Sequence, residues 1–216
     1  MKQLVENEMS LPLCELLLVM ADGEIIARDC ARRQSRASGD PRSARFLKAQ
    51  ARHEHFHGLL FRRVAAWLEP NLSATKVRSA GLTEYGRRLE SAISAGDWTD
   101  VLVGQQIVLE NLGDLVLSEL DDEVKQRGGG FQRLRSLILR QEQAHHNFGL
   151  KLLSGQLADD RIDQADIQTI AREYIDLADQ VLVDVEPLLD AMGANTQAYR
   201  RELPYRLPAW ATGIAR

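Results

Sequence analysis

The chain has 216 residues, enough for one large domain, and its 44% hydrophobic and 27% charged residues are typical of a globular protein with a hydrophobic core. The formal net charge of −4 at pH 7 argues against a dedicated nucleic-acid-binding protein. The longest apolar stretch, residues 11–27, is interrupted by Glu15, Asp22 and Glu24, so no membrane span is predicted there.

Helical patterns dominate the sequence, and sustained strand alternation does not occur. Ser10 is the predicted N-cap of the first helix, Pro41 begins the second, and Gly193 ends the last. The sequence "GGG" at 128–130 is predicted to end a further helix. The predicted helices cover residues 10–37, 41–69, 83–95, 97–127, 131–153 and 164–192, and residues 193–216 are predicted to be an irregular tail.

The order of these helices predicts the fold. Two helical hairpins joined by one long connection are typical of the ferritin-like version of the four-helix bundle. We therefore predict an all-α, ferritin-like four-helix bundle with an added fifth helix and a C-terminal tail. The prediction is a single domain over residues 1–216, with a metal-binding bundle at about 10–155, the extra helix at about 164–192 and the tail at 193–216.

The cysteines limit the redox and metal chemistry of the chain. Cys14 and Cys30 lie on one predicted helix, too far apart for a disulfide bond between them. They form no Cys-x-x-Cys motif, which excludes a rubredoxin-type or zinc-ribbon module. Free thiols are expected in a reducing compartment, so we predict a cytoplasmic protein.

A Glu-x-x-His motif occurs twice, as Glu54 with His57 and as Glu142 with His145. Residues three apart lie on the same face of a helix, so the two side chains of each pair can reach the same ion. Both pairs also lie on apolar stripes of alternating three- and four-residue steps, which face the core of a bundle.

Each remaining bundle helix is predicted to supply one carboxylate to the core. Glu24 occupies an inward position of the first helix, as far before the turn at Gly39-Asp40 as Glu54 lies after it. Glu110 occupies the corresponding position of the third bundle helix. The two hairpins thus share one pattern, a lone glutamate followed about thirty residues later by Glu-x-x-His. This is the ligand pattern of ferritin-like di-iron and di-manganese proteins.

The residue types suit a centre with two metal ions. Four carboxylates offset most of the charge of two divalent ions, and each imidazole adds a neutral nitrogen ligand. Burying four carboxylates and two histidines in one core without metals would cost much free energy. The predicted ligands are Glu24, Glu54, His57, Glu110, Glu142 and His145.

Three further residues are possible outer hydrogen-bond partners of these ligands. Asp114 lies one turn after Glu110 and is a candidate acceptor for the outer N–H of a ligand histidine. Gln106, one turn before Glu110, and His53, four residues before His57, are weaker candidates. Glycines within the predicted helices indicate either close helix packing or room for a substrate, and they are Gly58, Gly104, Gly113 and Gly149.

The six predicted ligands resemble those of the ferritin-like di-metal superfamily over roughly residues 10–155. The segment "RQEQAHHNFGLKLL" resembles the fourth-helix motif of the cyanobacterial aldehyde-deformylating oxygenases. "MADGEIIA" and "EQAHHNFGL" resemble demethoxyubiquinone hydroxylases, and the tRNA hydroxylases that modify isopentenylated adenosine share the ligand plan. The resemblance implies that iron binds at the six positions and that the reduced pair of ions activates dioxygen.

The resemblance leaves more than one function open. A di-iron oxidase, oxygenase or hydroxylase with a small-molecule substrate would need dioxygen and an electron donor such as a ferredoxin. A ferroxidase or iron-binding ferritin-like protein, and a di-manganese catalase, are the alternatives, with manganese or a mixed Mn/Fe pair as the alternative metals. The additions after the fourth bundle helix favour a monomer or homodimer over a large cage.

Overall fold

The computed structural model describes residues 2–70, 79–125 and 132–214, and among these the side chains outside 2–10, 119–125 and 132–134. All regular secondary structure in these residues is helical, which confirms the predicted all-α class. The helices are α1 (Lys2–Ala37), α2 (Pro41–Leu68), α3 (Ala80–Ala95), α4 (Trp98–Val101), a π-helical segment (Leu102–Leu109), α5 (Glu110–Lys125), α6 (Gln132–Ala158), α7 (Gln164–Ala191), α8 (Thr196–Arg206) and α9 (Ala209–Thr212).

Helices α1 and α2 form the first hairpin of the bundle. The Asp40 carboxylate caps α2 by accepting hydrogen bonds from the backbone N–H groups of Arg42 and Ser43, at 3.3 and 2.8 Å. Pro41 occupies the first turn, where its missing N–H costs no helical hydrogen bond. The predicted break at residues 38–41 is therefore confirmed. A Cβ atom at Gly58 of α2 would lie 3.3 Å from the Glu24 Cβ of α1, so the two helices pack closely there.

The third bundle helix changes its hydrogen-bonding pattern along its length. Asp97 caps α4, and the π-helical segment joins α4 to α5, where the N–H of Glu110 bonds to the carbonyl of Gln105. All eight residues of the π-helical segment are buried. The segment and α5 pack against α6, which completes the bundle. The predicted stop at "GGG", 128–130, lies outside the described residues.

Helix α7 packs on the bundle through a buried tyrosine. The Tyr174 hydroxyl donates a hydrogen bond to Asp100 Oδ1 at 2.6 Å, and Arg88 Nη1 donates to the same oxygen at 3.0 Å. The Tyr85 hydroxyl donates to the carbonyl oxygen of Gly104 at 2.6 Å. Burying these polar groups together satisfies each of them, and it ties α3 and α7 to the third bundle helix.

Three predicted boundaries were wrong, and so was the predicted tail. Helix α3 begins at Ala80, after a Ser79 cap, rather than at Thr83. Helix α1 begins at Lys2 rather than at a Ser10 cap, and Pro12 lies inside it. Helix α6 runs to Ala158 instead of ending at Leu153. The tail is not irregular, because the Asn195 side chain caps α8 and the buried Tyr199 and Leu203 attach that helix to the core.

Gly104 is expected to be essential for the packing of α7. A Cβ atom at this position would lie 2.4 Å from the Tyr174 ring, which is fully buried. Gly104→Ala should lower the free energy of unfolding by about 1–3 kcal/mol, the usual cost of overpacking, although alanine favours a helix by up to about 1 kcal/mol. Urea denaturation monitored by circular dichroism measures the change.

Gly155→Ala is the matched control for this substitution. Gly155 is exposed on α6, and nothing lies within 4 Å of a Cβ added there. Its stability should be unchanged or slightly higher. Equal stability of the two variants would show that α7 does not pack closely on Gly104.

None of the helices in the described part of the chain is both long and apolar enough to cross a lipid bilayer.

Candidate metal centre

The six predicted ligands lie together in the middle of the bundle, although they come from four different helices. Atoms of Glu24, Glu54, His57 and Glu142 all lie within 4.8 Å of one another, and so do atoms of Glu54, Glu110 and His145. Five of the six residues are buried, and the Glu24 side chain is 12% exposed. Such groups of carboxylates and imidazoles are able to hold a metal ion.

The distances divide the cluster into two halves, one around each histidine. The Nδ1 atom of His57 lies 3.5 Å from Glu24, and Nδ1 of His145 lies 3.5 Å from Glu110. Glu54 reaches both halves, with Oε2 at 3.3 Å from His57 and Oε1 at 3.0 Å from His145. Glu24 and Glu110 therefore occupy terminal positions, whereas Glu54 lies between the halves.

Glu142 also spans the two halves. Its Oε1 atom lies 2.9 Å from Nδ1 of His57, and its Oε2 atom lies 3.7 Å from Nδ1 of His145. Glu54 and Glu142 thus both lie between the two histidine-centred halves of the cluster.

The buried polar atoms of the cluster are better arranged to bind a metal ion than to form hydrogen bonds with one another. Both oxygens of Glu54, Oε1 of Glu142 and Nδ1 of both histidines are buried without a hydrogen bond of acceptable geometry. The carboxylate oxygens and histidine Nδ1 atoms nevertheless lie only 2.9–3.7 Å apart, so the atoms converge without bonding to one another. Unsatisfied buried polar atoms are rare and costly, and a cation in each half of the cluster would satisfy all five.

The electrostatics of the protein chain alone indicate that protons and metals compete for the cluster. Burial and the neighbouring Glu142 raise the pKa of Glu24 to about 8. Burial, Glu142 and Glu54 raise the pKa of Glu110. Burial alone would lower the pKa of His145, but contacts with Glu110, Glu142 and Glu54 raise it to about 12. A metal ion must displace these protons, because it binds carboxylates and neutral imidazoles.

Outer hydrogen bonds orient both histidines. Gln141 Oε1 lies 2.8 Å from Nε2 of His57, so it can accept the Nε2–H hydrogen bond. The lone pair of Nδ1, on the side of the carboxylates, is then available to a metal ion. His53 Nδ1 lies 3.2 Å from Nε2 of His145. Burial and the nearby His145 lower the pKa of His53, and a neutral His53 can accept the His145 N–H in the same way.

A chain of two glutamines supports Glu110. The amide of Gln50 donates to Glu110 Oε1 at 2.7 Å, and its oxygen accepts from Gln106 at 2.9 Å. Both glutamines are buried. Gln106 therefore acts on the cluster through Gln50, and a Cβ at Gly149 would lie 2.3 Å from the Gln106 Cβ, so glycine is required there.

Asp114 has a different partner from the one predicted. Its carboxylate accepts a hydrogen bond from Arg206 Nη1 of α8 at 2.9 Å, and both side chains are partly exposed. The expectation that Asp114 accepts a ligand histidine N–H is thus replaced by an ion pair between α5 and α8. The error follows from the tail, because a helix at 196–206 was not predicted.

Sequence reasoning missed Gln50 and Gln141. A signal for Gln50 was present, since it lies four residues before Glu54 on the same helix face. Gln141 lies on no apolar stripe of the sequence, so no local pattern identified it. The packing of α2 against α6 brings it to His57. No family model matches this chain, and no curated protein matches it.

Proposed function

We propose that this protein is a di-iron oxidoreductase that activates dioxygen and uses it to oxidise a small organic substrate. The observation that carries the proposal is the pair of histidine-centred halves bridged by Glu54 and Glu142, with five buried donor atoms left unsatisfied. Oxygen and imidazole nitrogen donors without sulfur suit iron or manganese.

The protein chain would hold the ions in a dry and pre-oriented site. Glu24 with His57 and Glu110 with His145 would bind one ion each, and Glu54 and Glu142 would bridge them. The four carboxylates supply four negative charges against the four positive charges of two divalent ions. Gln141, His53 and Gln50 keep the donor atoms oriented before an ion binds, which reduces the reorganisation that binding requires.

When bound, two ferrous ions would supply two of the four electrons that dioxygen needs, and the organic substrate would supply the other two, giving an oxidised product and water. An electron-donor protein would then restore the ferrous state. The buried Glu54, His57 and His145 exclude water from the donor atoms, which protects this chemistry from side reactions. Glu24 is the most exposed of the six, so exchange of protons with solvent is easiest there.

An organic substrate fits the surroundings of the cluster better than a flow of iron. The cavity that reaches Glu24, Glu110 and Glu142 is lined mainly by aliphatic residues. A hydrated ferrous ion would gain no polar partners along the aliphatic part of this wall and would meet oxygen donors only at the three glutamates. A ferroxidase with a long iron-entry route is therefore the less favoured function.

The test is to load the protein anaerobically with about two ferrous ions per chain, as di-iron bundles bind, and then to add dioxygen. We expect consumption of about one dioxygen for two ferrous ions, followed by no further oxidation when more ferrous iron is added, until a reductant restores the loaded ions. Light scattering should give a mass of 24.3 kDa or twice that value.

Two outcomes would contradict this function. Continued oxidation of many ferrous ions per chain, together with a large hollow particle, would identify a ferroxidase. Rapid disproportionation of hydrogen peroxide only after loading with manganese would identify a catalase. The Glu142→Gln variant keeps the shape of the side chain but not its charge, and we expect it to lose the stoichiometric reaction with dioxygen.

A further inference from the structure

A cavity lies beside the carboxylates, between α1, α5 and α7. The space open to the centre of a water molecule is about 90 Å³, several times the 10–15 Å³ that one water needs. Glu24, Glu110 and Glu142 form one part of its wall. A molecule in this cavity would therefore touch the same carboxylates that line the candidate metal centre.

The rest of the wall is aliphatic. Three helices supply most of it, with Val181, Leu182 and Val185 from α7, Leu16 and Val19 from α1, and Leu112 and Val116 from α5. Among the described residues that line the cavity, only the three glutamates have ionisable side chains. An apolar molecule would gain free energy by entering, whereas an anion would lose its water against a wall that supplies no cationic side chain.

Two helical glycines keep part of this space open. Gly23 of α1 and Gly113 of α5 both line the cavity, and nothing lies within 4 Å of a Cβ added at either position. Glycine within a helix costs about 1 kcal/mol relative to alanine. Gly58, Gly104 and Gly149 are explained by close packing, because an added Cβ would lie 3.4 Å or less from a neighbouring atom. Gly113 has no such neighbour.

We propose that this cavity binds the substrate of the centre, and that the substrate is small, rich in hydrocarbon and uncharged at the end that enters. Helix α7 forms the wall opposite α1, so it is a part of the binding site and not only a support for the bundle. The identification of the bound molecule as the substrate rests on the function proposed above, whereas its binding does not.

The experiment measures binding of 1-hexanol and of hexanoate by calorimetry, on the iron-loaded full-length protein and again after chelation. Circular dichroism confirms that the helices persist in each sample. We expect saturable binding of 1-hexanol in both samples. Hexanoate should bind at least about tenfold more weakly after chelation, because its carboxylate would lose water against an aliphatic wall that offers no cationic side chain. Hexanoate binding as tight as that of 1-hexanol in the chelated sample would overturn the uncharged class.

Gly113→Leu tests the location. Its side chain would extend into open space, so it should fill the cavity without a backbone clash and weaken 1-hexanol binding at least about tenfold. Gly155→Leu makes the same change at an exposed helical position with open space around it, and it should bind as the unmodified protein does. Metal content is measured in both variants, so that a lost ion is not mistaken for a filled cavity.

The outcomes separate this proposal from the proposed function. Unchanged 1-hexanol binding by Gly113→Leu would overturn the cavity assignment. If the protein reacts with dioxygen at its metal centre but does not bind 1-hexanol, the cavity proposal is overturned and the proposed di-iron function stands. If 1-hexanol binds, the Gly113→Leu substitution weakens that binding, and the protein holds no metal, the cavity assignment is supported and the di-iron function is contradicted.

Discussion

Glu54→Ala is expected to abolish metal binding at both positions of the centre. Glu54 belongs to both groups of converging donor atoms, and its two oxygens lie 3.3 and 3.0 Å from the two ligand histidines. Removing it would delete one donor from each half of the cluster and leave Glu142 as the remaining carboxylate of the six that spans both halves. Elemental analysis of iron-reconstituted protein should fall from about two ions per chain to close to none, and Glu142→Ala should also lose most of its iron.

The terminal carboxylates provide an internal comparison. Glu24 lies only in the His57 half, and Glu110 has its histidine contact only in the other half. Glu24→Ala is therefore expected to weaken one ion position more than the other. Asp114→Ala is the matched control, because this carboxylate pairs with Arg206 and should not affect metal content. Full retention of iron by both Glu54→Ala and Glu142→Ala would disprove the ligand assignment.

Removal of the metal ions is expected to lower the melting temperature strongly while leaving the helices in place. Ligand binding stabilises the folded state by about 4 kcal/mol when the free ligand exceeds its dissociation constant a thousandfold. For a chain of this length that corresponds to roughly 8–16 °C. The helices should persist because the largest fully buried side chains, including Tyr85, Tyr174 and Leu182, lie outside the cluster.

The same measurement should depend on pH in a defined direction. The pKa of Glu24 is raised from an ordinary 4.5 to about 8, so the folded metal-free protein binds this proton more tightly than the unfolded chain does. The resulting contribution to stability is lost as pH rises from 4.5 to 8. The pKa of His145 is raised from 6.5 to about 12, and its contribution is lost as pH rises through that interval. Both effects have the same sign, so the metal-free protein should melt at lower temperature as pH rises from 6 to 9.

The metal-loaded protein is the control for this dependence. Metal binding strengthens with pH, because fewer protons must be displaced. The difference in melting temperature between loaded and metal-free protein should therefore widen from pH 6 to pH 9. A narrowing difference would mean that the cluster does not hold these protons. Loss of all helicity on chelation would show that the apolar core is not sufficient for folding.

The sequence by itself determined the cluster of six, because that prediction depended on periodicity and not on details of packing. Residues three apart share a helix face, which unites Glu54 with His57 and Glu142 with His145. The two arms of a helical hairpin have equal rise per residue, so equal distances from the Gly39-Asp40 turn place Glu24 opposite Glu54. The structure brings all these residues together as the pattern predicted.

Predictions that depended on contacts between distant segments were less successful. Asp114 has the spacing of a partner for a ligand histidine, yet α8 supplies Arg206 as its partner. The π-helical segment before Glu110 was not predicted, because its hydrogen bonds span five residues and leave no distinct apolar period in so short a stretch. Gln141 reaches His57 across 84 positions of the sequence, and no local pattern encodes such a contact.

The cavity shows most clearly what only the tertiary structure decided. From the sequence, Gly113 and Gly104 are equivalent helical glycines, and either could indicate close packing or open space. In the folded chain Gly104 contacts the Tyr174 ring, whereas Gly113 faces space bounded by α1 and α7. The number of atoms around a glycine depends on which helices meet there. Local periodicity thus determined the positions of the six clustered residues, and the docking of α7 decided what lies beside them.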